Sequence, residues 1–166
     1  MTTGRDTMVH RARAIEPGVL SRLRERDDAG RPAVPFTDPE GGAPLRCCLR
    51  RSEPGERLAL VSYAPLRRWA ARTGADPGAY DEQGPVFVHA GECAGPDAAE
   101  RLPLTHARRV LRRYGAEGRI LGGALVEPGA GRFDAALTEA FDDPAVALVH
   151  VRAVEYGCFL YEVRRP

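Results

Sequence analysis

The C-terminal stretch AVALVHVRAVEYGCFLYEVRRP, Ala145 to Pro166, constrains the fold more than any other part of the chain. Two apolar runs of strand length flank Glu155-Tyr156-Gly157, and a glycine at such a break marks a tight turn. Runs this short bury themselves by pairing, so an antiparallel terminal hairpin is predicted, with Val149, Val151, Phe159, Leu160 and Val163 closing a sheet. The hairpin collects His150, Arg152, Tyr156, Cys158, Tyr161 and Glu162, the densest group of reactive side chains in the sequence. Which of them meet depends on turn length, because strand side chains alternate with a period of two. A two-residue turn at Tyr156-Gly157 puts Tyr161 opposite Arg152, on the face of His150, and sends Cys158 and Glu162 to the other face. A three-residue turn reverses that assignment, and the sequence leaves both open.

The remainder punctuates itself with proline and glycine. Met1 to Thr7 is polar and is expected to be a disordered tail, followed by one globular domain over 8–166. A short strand is expected over Met8–Ile15. A helix opens at Pro17 and ends before Gly30. Residues 31–44 hold four prolines and two adjacent glycines and form an irregular connection lying across the domain. Leu45–Arg50 and Arg57–Tyr63 are expected to pair as a hairpin about the Pro54-Gly55 turn, with Arg57–Tyr63 apolar on both faces and therefore central. Pro65 opens a helix ended by Gly74, with Leu66, Trp69 and Ala70 on its buried face. Gly84–Ala90 reads as a strand and Gly91–Pro103 as a surface loop carrying Cys93. Leu104–Tyr114 and Arg119–Val126 read as a second hairpin, in which Gly122-Gly123 implies a close approach by a bulge, a helix or a ligand. Phe133, Leu137 and Phe141 mark one buried helical face. The predicted class is α+β: a mostly antiparallel curved β-sheet or partly open barrel of about seven or eight strands with two or three short helices.

Composition excludes several chemistries. All 24 positive residues are arginine and none is lysine. A lysine Schiff base and a phosphate-binding P-loop are therefore impossible. H-E-x-x-H, G-x-S-x-G, G-x-G-x-x-G and C-x-x-C are absent. A net charge of +1 supplies no field to draw the chain to nucleic acid or an anionic membrane, although the run Arg108–Arg113 is locally basic. No apolar run approaches the ~18 residues of a bilayer span. The N-terminus lacks an apolar signal region, so a cytoplasmic location with reduced cysteines is expected.

Four segments, RARAIEPGVLSRLRERDDAG, PLRCCLRRSEPGERLALVSYAP, GPVFVHA and LVHVRAVEYGCF, resemble the bacterial domain of unknown function family 1203. The resemblance runs from about Val9 to Val163. Its most specific parts are C-L-x(4)-P-G-E-x-L-x-L, from Cys48 to Leu60, and H-V-x(5)-G-C-F, from His150 to Phe159. It implies an arginine-cysteine pattern near Arg46 and histidines in the terminal hairpin, where Arg152 here stands in place of a second histidine. It also implies a small cytosolic bacterial protein. The family carries no assigned activity, so no catalytic role transfers from it.

The candidate catalytic group is His150, Cys158 and His89, since an imidazole beside a thiol lowers its pKa and yields a nucleophile. A structural alternative treats Cys158 as a small buried hydrophobe and His150 as a hydrogen-bonded strand histidine. Candidate ligand-binding residues are Arg46, Tyr63, Arg152 and Tyr161. Arg46, Arg113 and Arg152 would clamp a carboxylate or phosphate. Zinc held by Cys47 or Cys48 with His89, His150 and Cys158 suits the ligand types, but no recognised spacing supports it. No metal and no cofactor is expected. His10 and His106 are expected to be exposed. Two partners are compatible with the sequence: a small polar or anionic molecule in a pocket of the sheet, or a second copy of the chain docked on the edge of the terminal hairpin.

Overall fold

The computed structural model describes residues 9–166. The expected tail and Met8 lie outside that range. In chain order the elements are α1 (Pro17–Glu25), β1 (Pro35–Thr37), β2 (Arg57–Tyr63), α2 (Pro65–Thr73), β3 (Gly84–His89), β4 (Arg109–Gly115), β5 (Ile120–Val126), α3 (Arg132–Asp142), β6 (Val146–Ala153) and β7 (Phe159–Arg164). The α+β class holds. The seven antiparallel strands are divided between two sheets, ordered β1-β2-β3 and β5-β4-β6-β7, and neither closes into a barrel.

Local rules account for most of the boundaries. Pro17 and Pro65 open α1 and α2 where a missing N–H costs nothing, and Gly74 ends α2 in the left-handed region at φ 77°. Leu66, Trp69 and Ala70 are buried on one stripe of α2, and Phe133, Leu137, Ala140 and Phe141 on one stripe of α3. The four-stranded sheet has two unlike faces. Leu111, Val149, Val151, Tyr161 and Val163 point to α3 and form the larger core. Tyr114 and Leu148 point the other way, to α2. Phe159 crosses from that second face into the core of the three-stranded sheet, among Leu45, Leu58, Val86 and Val88. Gly123 sits close to the neighbouring strand: an added Cβ would stand 3.1 Å from the Leu111 carbonyl oxygen. Strand packing thus accounts for that glycine without a ligand.

Three expectations fail for identifiable reasons. Leu45–Arg50 is no strand. Leu49 adopts φ 60°, and the Leu49 N–H to Leu45 O and Leu45 N–H to Arg50 O bonds fold the segment into a compact turn. β2 is central as expected, but its neighbours are β1 and β3. The apolar run Leu45-Arg46-Cys47-Cys48-Leu49 is nevertheless almost wholly buried, so burial alone does not separate a strand from an internally bonded turn. The expected first strand is reduced to one bridge, Arg13 to Glu162, along the outer edge of β7. His10 is buried at 1% exposure, stacked on Phe141 with Nε2 3.1 Å from the Thr138 hydroxyl.

The buried turn is fastened through Arg46, which is 3% exposed. Its backbone N–H donates to Phe87 O of β3, and its carbonyl accepts from Ile15 N–H. Its guanidinium donates from Nε to Phe159 O of β7 at 2.7 Å and from Nη1 to Pro44 O. No carboxylate lies within ion-pair range among the described residues. Burial lowers the guanidinium pKa to about 10, so it stays charged at neutral pH. Arg46→Met keeps the bulk and leaves two carbonyls unsatisfied. It is expected to lower the unfolding free energy by about 1–3 kcal/mol for each carbonyl that stays buried, measured by urea denaturation. A variant as stable as the parent would show that this guanidinium does not join the sheets.

Candidate functional site

The terminal hairpin takes neither of the two expected turn lengths. Ala153 N–H donates to Cys158 O across a loop that includes Gly157 at φ 73°, and the register then shifts between Val151 and Arg152. His150 therefore pairs with Glu162, Val151 with Tyr161, and Arg152 with Phe159. Tyr161 turns into the α3 core, where its hydroxyl donates to Pro103 O at 2.9 Å. His150, Arg152 and Phe159 stay on the opposite face, toward the three-stranded sheet.

There they wall a cavity of about 250 Å³ between the two sheets. Tyr63 at the end of β2, Pro85 and Val86 of β3, Tyr114 of β4 and Cys158 of the hairpin loop complete its working surface. His150 is 1% exposed, with its ring between Tyr114 at 4.8 Å and Phe159 at 5.0 Å. Its Nε2 lies 3.0 Å from Glu162 Oε2, and Arg164 Nε donates to Glu162 Oε1 at 2.6 Å. Burial pushes the His150 pKa down, and the charges of Arg152 and Arg112 push the same way against Glu162. Burial pushes Glu162 up, but the His150 and Arg164 hydrogen bonds and charges win and leave it below the usual carboxylate range. The stable state is a neutral imidazole against an ionised carboxylate. An ionised carboxylate only accepts, so Nε2 carries the proton and Nδ1 is left as a lone pair. Nδ1 bonds no described residue, and the ring stands in the wall of the cavity.

The rim is charged unevenly. Glu82 accepts from Arg112 Nη1 at 2.8 Å and lies 3.3 Å from Arg152 Nη1, so one half-exposed carboxylate serves two guanidinia. Arg152 Nε is held by Gly157 O at 2.9 Å. Burial first, then the Arg112 charge, lowers the Arg152 pKa. The Tyr63 hydroxyl has no hydrogen-bond partner among the described residues, and burial raises its pKa.

The predicted residues thus divide. His150, Cys158, Tyr63 and Arg152 share the cavity. Arg46 and Tyr161 are tied into backbone carbonyls elsewhere. His89 ends β3 away from His150 and meets a different set of groups. Cys47 Sγ is 3.4 Å and Cys48 Sγ 4.0 Å from His89 Nδ1, and His89 N–H donates to Cys47 Sγ at 3.3 Å. A hydrogen bond from Cys47 draws the Cys48 thiol down to about 6, and the same bond, with burial, pushes Cys47 up. Glu82, Arg112 and Glu162 were not anticipated in the site. Glu82 lies on a loop without periodicity, and Glu162 became legible only once the hairpin register was known. The locally basic run is largely engaged: Arg108 pairs with Glu127, Arg109 donates to Leu104 O, and Arg112 pairs with Glu82.

An antiparallel α+β protein with a polar-rimmed cavity between its sheets is the class these features define. The chain belongs to the family described as "Protein of unknown function (DUF1203)", whose model matches residues 42–165. No curated protein and no solved structure matches it. Among the described residues, no helix is long and apolar enough to cross a membrane.

The buried imidazole makes stability depend on pH. A histidine whose folded pKa is depressed contributes stability that is present above its unfolded value of 6.5 and is lost as pH falls below it. His10, also depressed by burial, adds in the same direction. Below pH 6.5 the unfolding free energy is expected to fall by up to about 1.4 kcal/mol per pH unit for each histidine, until its folded form protonates. The exposed His106 is lowered too, so His150→Gln removes one of three contributions, and an unchanged pH slope in that variant would refute the assignment.

Proposed function

We propose that the inter-sheet cavity binds a small molecule with an apolar body and one anionic group, a carboxylate or phosphate. The carrying observation is that, among the described residues, Glu82 alone serves both Arg112 and Arg152, while the buried Glu162 is matched by Arg164. The rim therefore has one guanidinium charge in excess, fixed in direction by the Gly157 carbonyl. Arginine favours carboxylate and phosphate oxygens because its planar donors match their spacing. The rings of Tyr63 and Phe159 supply the apolar wall. The Tyr63 hydroxyl and His150 Nδ1 supply a donor and an acceptor for orientation. A few convergent polar groups in an otherwise apolar cavity are what small-molecule sites require. In this reading Arg152, Tyr63 and His150 contact ligand. Cys158, half-buried with its thiol 3.9 Å from Tyr156 O, stands at the rim. A homodimer through the edge of β7 is less favoured, because Arg13 N–H already donates to Glu162 O there.

The test is a thermal-shift and calorimetric screen of aromatic and aliphatic carboxylates and phosphate monoesters, with native mass spectrometry for a copurified ligand. Arg152→Met should weaken any hit by about 10- to 100-fold, the value of a charge-assisted hydrogen bond. Glu82→Gln should strengthen the same hit, because it frees both guanidinia. If both variants bind as the parent does, the anionic-ligand reading fails.

A further inference from the structure

Away from the cavity, the Sγ atoms of Cys47, Cys48 and Cys93 and one ring nitrogen of His89 all lie within 4.8 Å of one another. We infer that these four residues form a closed tetrahedral site for a thiolate-preferring divalent cation, zinc, which ties the long connection 90–108 to the sheet. Bond lengths of about 2.3 Å to sulfur and 2.0–2.1 Å to nitrogen place tetrahedral zinc ligands about 3.4–3.8 Å apart. The 3.4 and 4.0 Å separations of His89 Nδ1 from Cys47 and Cys48 bracket that spacing. Three thiolates and one imidazole are a structural zinc donor set, with no position left open for water.

Groups outside the cluster point the ligands inward. His89 Nε2 is 3.1 Å from Glu56 Oε1, and Glu56 is itself clamped by Arg50 through bonds of 3.1 and 2.6 Å and by Glu53 N–H at 2.8 Å. A carboxylate only accepts, so Nε2 bears the proton and Nδ1 presents its lone pair to the thiols. This carboxylate–histidine pairing is the usual second support of a zinc ligand. The His89 N–H···Sγ bond to Cys47 stabilises sulfur that bears negative charge. Zinc with three thiolates and neutral imidazole carries one net negative charge. Arg50 lies 3.4 Å from the ring, and Arg24 donates to the His89 carbonyl at 3.1 Å. The turn at 45–50 is what lets consecutive cysteines serve one ion, since a strand would send Cys47 and Cys48 to opposite faces.

The site also explains how the connection between β3 and β4 is held. Loops longer than roughly 12–15 residues without secondary structure are uncommon unless something fastens them. Residues 90–108 contain no helix or strand and most of 91–100 is exposed, yet Cys93 within that stretch is half-buried.

Untagged protein should be purified without chelator and its metal content measured by elemental mass spectrometry and native mass spectrometry. One zinc per chain is expected, or one after reconstitution of reduced apoprotein with Zn2+, with a Kd below roughly 100 nM. Cys93→Ser and Cys48→Ser should each abolish stoichiometric binding, whereas Cys158→Ser should retain one zinc. Glu56→Gln, which touches only the histidine, should weaken binding by about 10- to 100-fold. Co2+ added to the parent apoprotein should give intense tetrahedral d–d bands and a thiolate-to-cobalt charge-transfer band. That readout does not depend on any variant folding. Removing zinc should open residues 90–108 to limited proteolysis. Binding weaker than about 1 µM, a pale octahedral cobalt spectrum, or equal zinc retention by Cys93→Ser would each overturn the assignment. The anionic-ligand reading of the cavity is tested separately, through Arg152 and Glu82.

Discussion

Both sheets depend on the buried guanidinium of Arg46. The strands within each sheet satisfy one another, but little backbone bonding joins β3 to β7 directly. Arg46 reaches Phe87 through its main chain and Phe159 through its side chain, and Ile15 closes on its carbonyl. A buried charge without a carboxylate is costly, and its retention here follows from geometry: only a long, planar, multi-donor group spans from the turn to β7 while also serving Pro44 O. With that tie in place, Phe159 can lie between the sheets, and the space beyond it becomes the cavity.

The polar groups of the cavity are arranged in depth. Arg164, Glu162 and His150 form a chain in which each member fixes the next, and His150 Nδ1 bonds no described residue. Farther out, Glu82, Arg112 and Arg152 form a looser set, since Glu82 is half-exposed and can rotate away. The inner chain is held because displacing Arg164 would leave the buried Glu162 carboxylate without its cation. The outer set is exchangeable because water can replace any one partner. A ligand anion can compete with Glu82 but not with Glu162, and this is why the rim, and not the histidine, is read as the anion-selective element.

How far the sequence discloses this molecule depends on whether a property is local. Pro17, Pro65 and Gly74 announce helix ends by their own backbone chemistry, and the spacing of Phe133, Leu137 and Phe141 announces a buried face; all appear as expected. The pairing partner of β2 is not local. Leu45–Arg50 carries the apolarity of a strand, but a left-handed Leu49, which no propensity favours, turns it into a knot of hydrogen bonds. The same turn decides whether Cys47 and Cys48 act together. The hairpin register was likewise undecidable: the extra residue at Phe159-Leu160 shifts every pairing beyond it, bringing Glu162 to His150 and sending Tyr161 to the far side. Tyr63, His150, Arg152 and Cys158 stand out in the sequence because polar groups in apolar strands are conspicuous, and the fold brings them to one cavity. Arg46 is conspicuous for the same reason, and its guanidinium is bonded to the Phe159 and Pro44 carbonyls.

β3 couples the two candidate sites through geometry. Its first residues, Gly84 to Val86, wall the cavity, and its last, His89, presents the imidazole to the cysteines. Six pairs fix its register on β2, from Tyr63 opposite Gly84 to Leu58 opposite His89. Because side chains alternate, a slip of one residue would turn Val86 and Val88 out of the core and swing His89 away from Cys47 and Cys48 together. Cavity wall and imidazole therefore cannot be misplaced independently. Anything that holds the His89 end of the strand, the cysteines included, also holds the wall against which a ligand would rest.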